Sequence, residues 1–480
     1  MNPDAADESR VPDAAKLLDN HHRAGIGPPL VSHSTSSSTS VSLELHPPAG
    51  VLHIARRLEE AGFEAWCVGG AVRDALLGHP HLDWDLATSA RPDEVRRLFR
   101  RTVPVGIEFG TVGVLDASGV MHEVTTFRRD VRTDGRHAEV AFGVSLEDDL
   151  ARRDFTINAL AYSASAHVLR DPFGGRDDLA RGVVRAVGDA AARMREDRLR
   201  ALRGIRFAAR FGFRIEHATW EAIRASAPHL GRLSPERVRQ EMEKTMDQVE
   251  RPSTAFALWK TSGALATLVP ALAAVSELAL ATVDEIARPG LSTRPQRRAL
   301  RIAALLLELG GRDAERALRA LRFSNAEASW IARVVEGCAH LEPVMARALL
   351  SDAPVPELDV RRWVAHAGRT RTPAVFRLAA ARWAAQRRAG LPAPAATAAA
   401  ALYRRAVRAA FRDAIEIADL AIDGDDLQRA GIPAGPHMRP LLEGLLARVV
   451  EDPTANVPDV LLARAREMYA SLGAHHGRGT

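Results

Sequence analysis

Two short stretches of this chain carry residue types that do chemistry together. Residues 67–74 read Cys-Val-Gly-Gly-Ala-Val-Arg-Asp, and Asp83-Trp84-Asp85 follows closely. Ala65 to Val68 is a brief apolar run expected as a buried strand. Gly69-Gly70 breaks it, and Ala71 to Leu77 has helical spacing up to Gly78. A strand, a Gly-Gly turn and a helix N-terminus leave backbone N–H groups and a positive dipole end uncovered by side chains, which makes a phosphate cradle. Arg73 adds a fixed positive charge beside it. Asp83 and Asp85 stand at i and i+2, so on a strand both carboxylates project from one face. Adjacent carboxylates repel unless a cation lies between them, and hard oxygen ligands suit a divalent ion such as Mg²⁺. Cradle and carboxylates together read as nucleotide chemistry. Taken separately, they are an ordinary turn and a solvated acidic loop.

Gly-Gly-x-Val-Arg-Asp followed by Asp-x-Asp resembles the first motif of the class II nucleotidyltransferases of the polymerase-β superfamily, the tRNA nucleotidyltransferase and bacterial poly(A) polymerase group. Later stretches resemble that family's further motifs in order. The resemblance places a third catalytic carboxylate at Glu123, beside the metal-holding pair Asp83 and Asp85, and adds Gly69, Gly70 and Arg73 as nucleotide-binding residues. It assigns Arg152, Arg153 and Asp154 to the ribose of the bound nucleotide. An Asp acceptor and Arg donors can hold a 2′-hydroxyl, which makes that assignment coherent; alone, the triplet reads as a solvated helix start. Asp171 to Gly175 with Asp177 to Leu179 resembles a hinge motif. Arg232 to Arg237, with Glu241 and Lys244, resembles a motif to which no chemistry is assigned.

Glu196 to Arg200 resembles the family's base-reading motif and is expected to open a helix. Asp197 and Arg200, three apart, then share one face. Cytosine and adenine each present an amino donor beside a ring-nitrogen acceptor, so an Asp acceptor and an Arg donor match both. Guanine and uracil present the reverse pattern and leave both side chains unpaired. The structural alternative is an i,i+3 salt bridge between the two. Arg203, Arg206 and Arg210 continue along the same helix, as an RNA-backbone contact or as a solvated face.

Around these residues the chain reads as α+β. A small mixed-sheet, palm-like nucleotidyltransferase head is followed by an all-α neck, body and tail. Residues 1–47 are polar, with a Ser/Thr run from Ser32 to Ser42, and read as a disordered extension. The head spans 48–170, the neck 171–250, the body 251–400 and the tail 401–480. Within the head, Val51, Ile54 and Leu58 have helical spacing. Thr111 to Leu115 and His122 to Phe127 form a hairpin about Asp116 to Gly119, and Val131 to Ala138 reads as a mobile loop.

The 480 residues are 46% hydrophobic and only 5% aromatic, with a net charge of +5 and a pI near 9.7, a balance that suits a polyanionic partner. Cys67 and Cys338 lie far apart with no metal-ligand spacing, and the longest apolar run, Ile302 to Leu307, is too short to span a bilayer. A cytoplasmic protein is the expectation.

The resemblance implies addition of CCA to tRNA 3′ ends from CTP and ATP. Residues 105–111, with glycines at 106 and 110 before Thr111, resemble the CCA-adding version of that head segment, as do Asp419 to Leu427 and Gly431 to Pro436 in the tail. A poly(A) polymerase of the same family, or a partial enzyme adding only CC or only A, is the alternative. A catalytically dead RNA-binding protein is the reading from another class. The run Ala304 to Leu309 lacks the His-Asp pair of the family's phosphohydrolase module, so no second, phosphatase activity is expected.

Overall fold

The computed structural model describes residues 40–42, 44–79, 83–133, 138–286, 294–351 and 353–476. The chain forms two compact units, one running to Val249 and including Thr254–Leu268, the other made of Glu250–Ser253 and the chain from Val269 onward.

The first unit is built on an eight-stranded mixed sheet. Its elements in chain order are β1 (Ser40–Ser42), α1 (Ala49–Glu60), β2 (Ala65–Val68), α2 (Gly70–Leu76), β3 (Asp85–Thr88), α3 (Pro92–Leu98), β4 (Thr102–Gly106), β5 (Thr111–Leu115) and β6 (Met121–Thr126). A separate two-stranded ribbon, β7 (Arg128–Thr133) and β8 (Ala138–Phe142), follows, then α4 (Leu146–Ala151), β9 (Ala161–Ser163) and β10 (Val168–Arg170). The sheet order is β1-β10-β9-β2-β3-β6-β5-β4, antiparallel throughout except for the parallel pair β3–β6.

Alternation sorts the strand residues between two faces. Cys67, Leu86, Val112, Val114 and Val124 are buried, as are Val51, Ile54 and Leu58 of α1 and Val95 of α3, the two helices packed on the sheet. On the other face Val68, Ala87 and Ala161 pack with Leu146 and Leu150 of α4 and with Phe127. Among the described residues, that cluster includes none from β5 or β4.

Helices complete the unit: α5 (Gly175–Ala180), α6 (Ala190–Glu196), α7 (Leu199–Phe211), α8 (His217–Ser226) and α9 (Pro235–Gln248). Gly175 is required by packing, because a Cβ there would lie 2.1 Å from the Thr156 carbonyl oxygen. At the segment expected as a hinge, both Asp171 carboxylate oxygens accept, from the Gly175 and Arg176 N–H groups.

The mixed-sheet head followed by helices matches the expected fold class. Several local expectations need correction. Ser40 to Ser42, placed within a disordered extension, pair with β10 as an edge strand; the rest of the extension up to residue 39 lies outside the described residues. The stretch from Val131, expected as a loop, belongs to the β7–β8 ribbon, where Arg128 opposes Phe142. Residues 134–137 lie outside the described residues. The expected body–tail boundary at 400 falls inside one continuous helix, Ala396–Arg412, whose buried Ala399, Leu402 and Ala406 keep a single apolar stripe across it.

The second unit is helical. Helices Glu277–Asp284, Arg294–Leu305, Asn325–Leu350 and Thr372–Arg388 pack together. A separate cluster toward the C-terminus joins Leu420, Ile422, Leu427, Ile432, Leu441, Leu445 and Val449. Asp423 caps Gly424–Arg429 by accepting from the Asp425 and Asp426 N–H groups, and Gly431, at φ 90°, makes the turn that follows. Among the described residues no helix is long and apolar enough to cross a membrane.

Candidate nucleotide site

Strand register brings the Gly-Gly turn to the carboxylates. In the antiparallel β2–β3 pair Val68 lies opposite Asp85, so Gly69 leaves the sheet beside the start of β3. Gly69 has φ 72°, and a Cβ there would come within 2.7 Å of Arg153 Nη1, so both conformation and space demand glycine. Arg73 is 3% exposed. It donates from Nε to Asp74 Oδ1 at 2.7 Å and from Nη1 to Asn158, and its guanidinium lies 5.1 and 4.9 Å from the ring centroids of Phe207 and Phe211. The charge is fixed in place, as expected, by the motif's own Asp74 together with Asn158, Phe207 and Phe211, which the motif does not contain.

Asp83 is exposed, Trp84 buried and Asp85 half-buried, the alternation that puts both carboxylates on one side of an extended segment, although the strand itself starts at Asp85. The parallel β3–β6 ladder begins with Leu86 opposite Val124, which sets Asp85 and Glu123 side by side one residue earlier. Burial, together with the negative charges of Asp83 and Glu123, pushes the Asp85 carboxyl up to about 7, against the opposing pull of Arg153. Three acids whose charges oppose each other at one point fit a divalent cation, which would remove that repulsion. Among the described residues no group of three or more His, Cys, Asp and Glu side chains is arranged to hold a metal ion. A cation here would therefore draw part of its oxygen shell from elsewhere, as Mg²⁺ sites on phosphate substrates do.

The Arg-Arg-Asp triplet is not a solvated helix start. Arg152 donates from Nε and Nη2 to Asp149 Oδ1 at 3.0 and 2.8 Å, and Arg153 Nη2 reaches Asp149 Oδ2 at 3.2 Å. Burial would raise the Asp149 carboxyl, but the two guanidiniums outweigh it and hold it below the usual range. Asp154 accepts from Asn158 Nδ2 at 2.8 Å and from Arg203 Nε and Nη2 at 2.9 and 2.8 Å. Burial again opposes ionisation, and again the Arg partner prevails.

The base-reading segment differs from its expectation. Glu196 ends α6, Asp197 has extended backbone at the junction, and α7 begins only at Leu199, so Asp197 and Arg200 do not share a helix face. They are not salt-bridged to each other either. Asp197 Oδ2 accepts from Arg237 Nη2 at 2.8 Å, whereas Arg200 donates to Glu196 Oε2 and to the Arg152 carbonyl, both at 2.8 Å. Nor do Arg203, Arg206 and Arg210 form an outward RNA-facing stripe. Arg206 is 3% exposed and pairs with Glu241 at 2.8 Å and Gln248 at 2.9 Å, while Arg210 reaches Asp74 at 3.2 Å. The apolar side of α7 packs on the unit's core, and the opposite side turns these guanidiniums inward.

Most of these residues line one cavity of about 460 Å³. Gly69, Gly70, Arg73, Asp85, Arg152, Arg153, Asp154, Asp197, Arg200, Arg203, Arg206 and Arg210 line it, from the expected set, with Asn158, Phe207, Lys244 and Gln248 in addition. Asp83 and Glu123 lie outside its lining. Eight Arg or Lys side chains against three Asp make the cavity strongly cationic. Asp149, Asn158, Glu241 and Arg237 were not singled out as site residues, because a buried partner far along the chain leaves no local pattern. Asp149, an acid at i−3 and i−4 from the two arginines, and Asn158, four residues after Asp154, were within local reach.

Comparison with known proteins gives the same ordering of parts. Residues 65–185 match the Poly A polymerase head domain, and residues 212–275 match the probable RNA and SrmB-binding site of polymerase A. The CCA-adding enzyme of Leuconostoc mesenteroides is 52% identical over 195 residues, 40% of this chain and 48% of that protein. Against that relative the matched chain spans about half the length. The CCA-adding enzyme of Geobacillus kaustophilus is 37% identical over 415 residues, covering 86% of this chain and 95% of the relative. The solved CCA-adding enzyme of Bacillus stearothermophilus in complex with CTP superposes with a TM-score of 0.68 at 33% identity, over 89% of this chain and 98% of that one. A likeness that runs nearly end to end at this identity means that the chain belongs to the tRNA nucleotidyltransferase and poly(A) polymerase family.

Proposed function

We propose that this protein adds C, C and A to the 3′ end of tRNA, using CTP and ATP without a nucleic-acid template and releasing pyrophosphate. The observation that carries the reading is that one cationic cavity is lined by the Gly-Gly turn, Asp85, the Arg-Arg-Asp triplet, Asp197 and Arg200. The Bacillus stearothermophilus relative was solved with CTP, which supports the same occupant here. A cytoplasmic setting accords with two unpaired, buried cysteines.

The chain's own residues divide the work. The Gly69-Gly70 turn, whose Gly69 N–H is itself held by the Leu160 carbonyl at 3.2 Å, offers the backbone at the start of α2, and with the charges of Arg73 and Arg153 it receives the triphosphate. Arg152, Arg153 and Asp154 hold the ribose, and Asp197 with Arg200 reads the base edge by exchanging its present partners for the amino group and ring nitrogen of C or A. The family generally uses a divalent metal. In this reading Asp83 and Asp85 would hold Mg²⁺ with Glu123 beside them, and the ion would lower the pKa of the RNA 3′-hydroxyl and stabilise departing pyrophosphate.

The test uses purified protein, Mg²⁺ and a tRNA transcript ending at the discriminator base, with products resolved to single nucleotides. Growth by two with CTP alone, and by a third only when ATP is added, is expected. A long ladder from ATP alone would make it a poly(A) polymerase, and growth that stops short would make it a partial enzyme. Asp83→Ala should abolish transfer while tRNA binding persists.

A further inference from the structure

The acid-bearing face of the sheet extends past the nucleotide cavity onto a surface not used so far. One transverse row of neighbours runs across it. Asp85 stands beside Glu123, Glu123 lies opposite Gly113, and Gly113 lies opposite Val103 on β4. At strand spacing this row is about 14 Å long. The buried residues of β5 and β6, Val112, Val114, His122 and Val124, point the other way. Met121 and Val105 meet over Gly113, where a Cβ would come within 2.8 Å of the Met121 sulfur and 2.9 Å of a Val105 methyl. Both remain solvent-exposed, Val105 at 40% and Met121 at 42%, and Val103 at the end of the row is exposed at 38%. An apolar platform thus adjoins the carboxylates on the side away from β2.

We propose that this platform seats the 3′-terminal nucleotide of the acceptor RNA, with Met121 and Val105 as its floor. The inference rests on the nucleotidyl-transfer reading. The cavity, and with it the incoming triphosphate, lies on the β2 side of Asp85. In-line displacement requires the attacking hydroxyl to approach the α-phosphorus opposite the leaving pyrophosphate, and so from the β6–β5–β4 side. The attacking oxygen loses its proton, the new P–O bond forms to the RNA, and the bond to pyrophosphate breaks. The terminal sugar and base must then lie over Glu123, Gly113, Met121 and Val105. Beyond Glu123 the uncharged side chains of Met121 and Val105 suit the base, because every base has an apolar face and a template-free enzyme must accept successive different 3′ ends. The edge of β4 is a poor place for strand addition by a second protein copy, since Pro104 lacks an N–H and the pairing is bulged between Pro104 and Gly106.

The experiment compares the wild type with Met121→Glu and Val105→Glu, and uses Val120→Glu, in the adjoining turn, as a control carrying the same charge. The tRNA KM is measured at saturating CTP, and CTP affinity is measured by equilibrium binding without RNA. A new carboxylate on the floor should raise the tRNA KM by about tenfold or more, with CTP affinity unchanged and Val120→Glu near wild type. An unchanged tRNA KM in both variants would overturn the proposal, as would a parallel loss of CTP binding. A tRNA ending in a photoreactive nucleotide supplies a readout independent of turnover, with cross-links expected on peptides containing Val105 or Met121. Absence of cross-links there, or an oligomer in the wild type that Met121→Glu dissociates, would count against it. Wild-type protein that extends no RNA would instead defeat the underlying functional reading, and the cross-link result would still decide where the RNA end lies.

Discussion

Arg237 holds Asp197: the guanidinium Nη2 lies 2.8 Å from the carboxylate Oδ2, although the two residues are 40 apart in the chain. The other carboxylate oxygen accepts from the Leu199 N–H at 3.0 Å. Asp197 belongs to no helix, so these two contacts set the direction in which its acceptors point. A segment to which the sequence reading assigned no chemistry therefore orients the residue assigned to read the base.

Removing that partner should affect selection more than stability. Both side chains are about one-third exposed, so the pair contributes within about 1 kcal/mol to folding. For Arg237→Ala the ratio of kcat/KM for CTP over UTP should fall by about tenfold, with little change in melting temperature. Arg237→Lys, which keeps the charge and loses the planar fork, should recover only part of the ratio. Misincorporation assays on a tRNA ending at the discriminator base measure it.

Asp149→Ala should strike the ribose-binding arginines through their anchor. The Asp149 side chain is 1% exposed and serves both Arg152 and Arg153. Breaking a buried pair of this kind costs about 3–5 kcal/mol, and the freed guanidiniums should raise the KM for CTP and weaken discrimination against 2′-deoxynucleotides. Because the folded-state carboxyl is held below its usual range, its contribution is present at neutral pH and lost as the pH falls below about 4. Acid unfolding of the wild type and the variant should therefore converge, which urea titration across pH would show.

Gly69→Ala tests the turn. A positive φ at a non-glycine costs roughly 1–3 kcal/mol, and the added methyl would press on Arg153 at 2.7 Å. Displacement of the cradle by a fraction of an ångström should lower kcat/KM for nucleotides by about a hundredfold. Steady-state kinetics and thermal melting separate the two effects.

Asp85 makes a pH prediction with the opposite sign to Asp149. Burial, with the repulsion of Asp83 and Glu123, raises its carboxyl from 3.8 to about 7. Between about pH 4 and 7 the folded chain keeps a proton that the unfolded chain has released, so stability from this group falls as the pH rises through that window and is level above it. In metal-free buffer at pH 8, Asp85→Asn should raise the melting temperature while abolishing transfer. Mg²⁺ should stabilise the wild type at pH 8 and leave Asp85→Asn unmoved.

Much of the head was legible because its signals are local. The Gly-Gly break after Val68, the Asp83–Asp85 spacing and the hairpin about Asp116 to Gly119 each act within a few residues, where backbone sterics and side-chain alternation leave few choices. The segment 196–200 was misread for a related reason. Its i,i+3 spacing is what a helix would show, but Asp197 takes extended backbone, with Arg237 on its carboxylate, and local periodicity does not register a partner 40 residues away. Arg206 likewise looks like a surface residue in sequence, and only Glu241 and Gln248, brought against it by α9, make its burial tolerable.

By itself the sequence determined which residue types could do the chemistry and the order in which they come, because glycine conformation, carboxylate repulsion and the hydrogen-bonding edges of C and A are properties of small groups. Only the tertiary structure decided their directions. Strand register placed Asp85 between Gly69 and Glu123, and the packing of α7 against α9 and the Arg-Arg-Asp segment brought Arg206 to Glu241 and Arg203 to Asp154. A buried charge is tolerated only with a partner at hydrogen-bond distance, and that distance is a property of the packed elements.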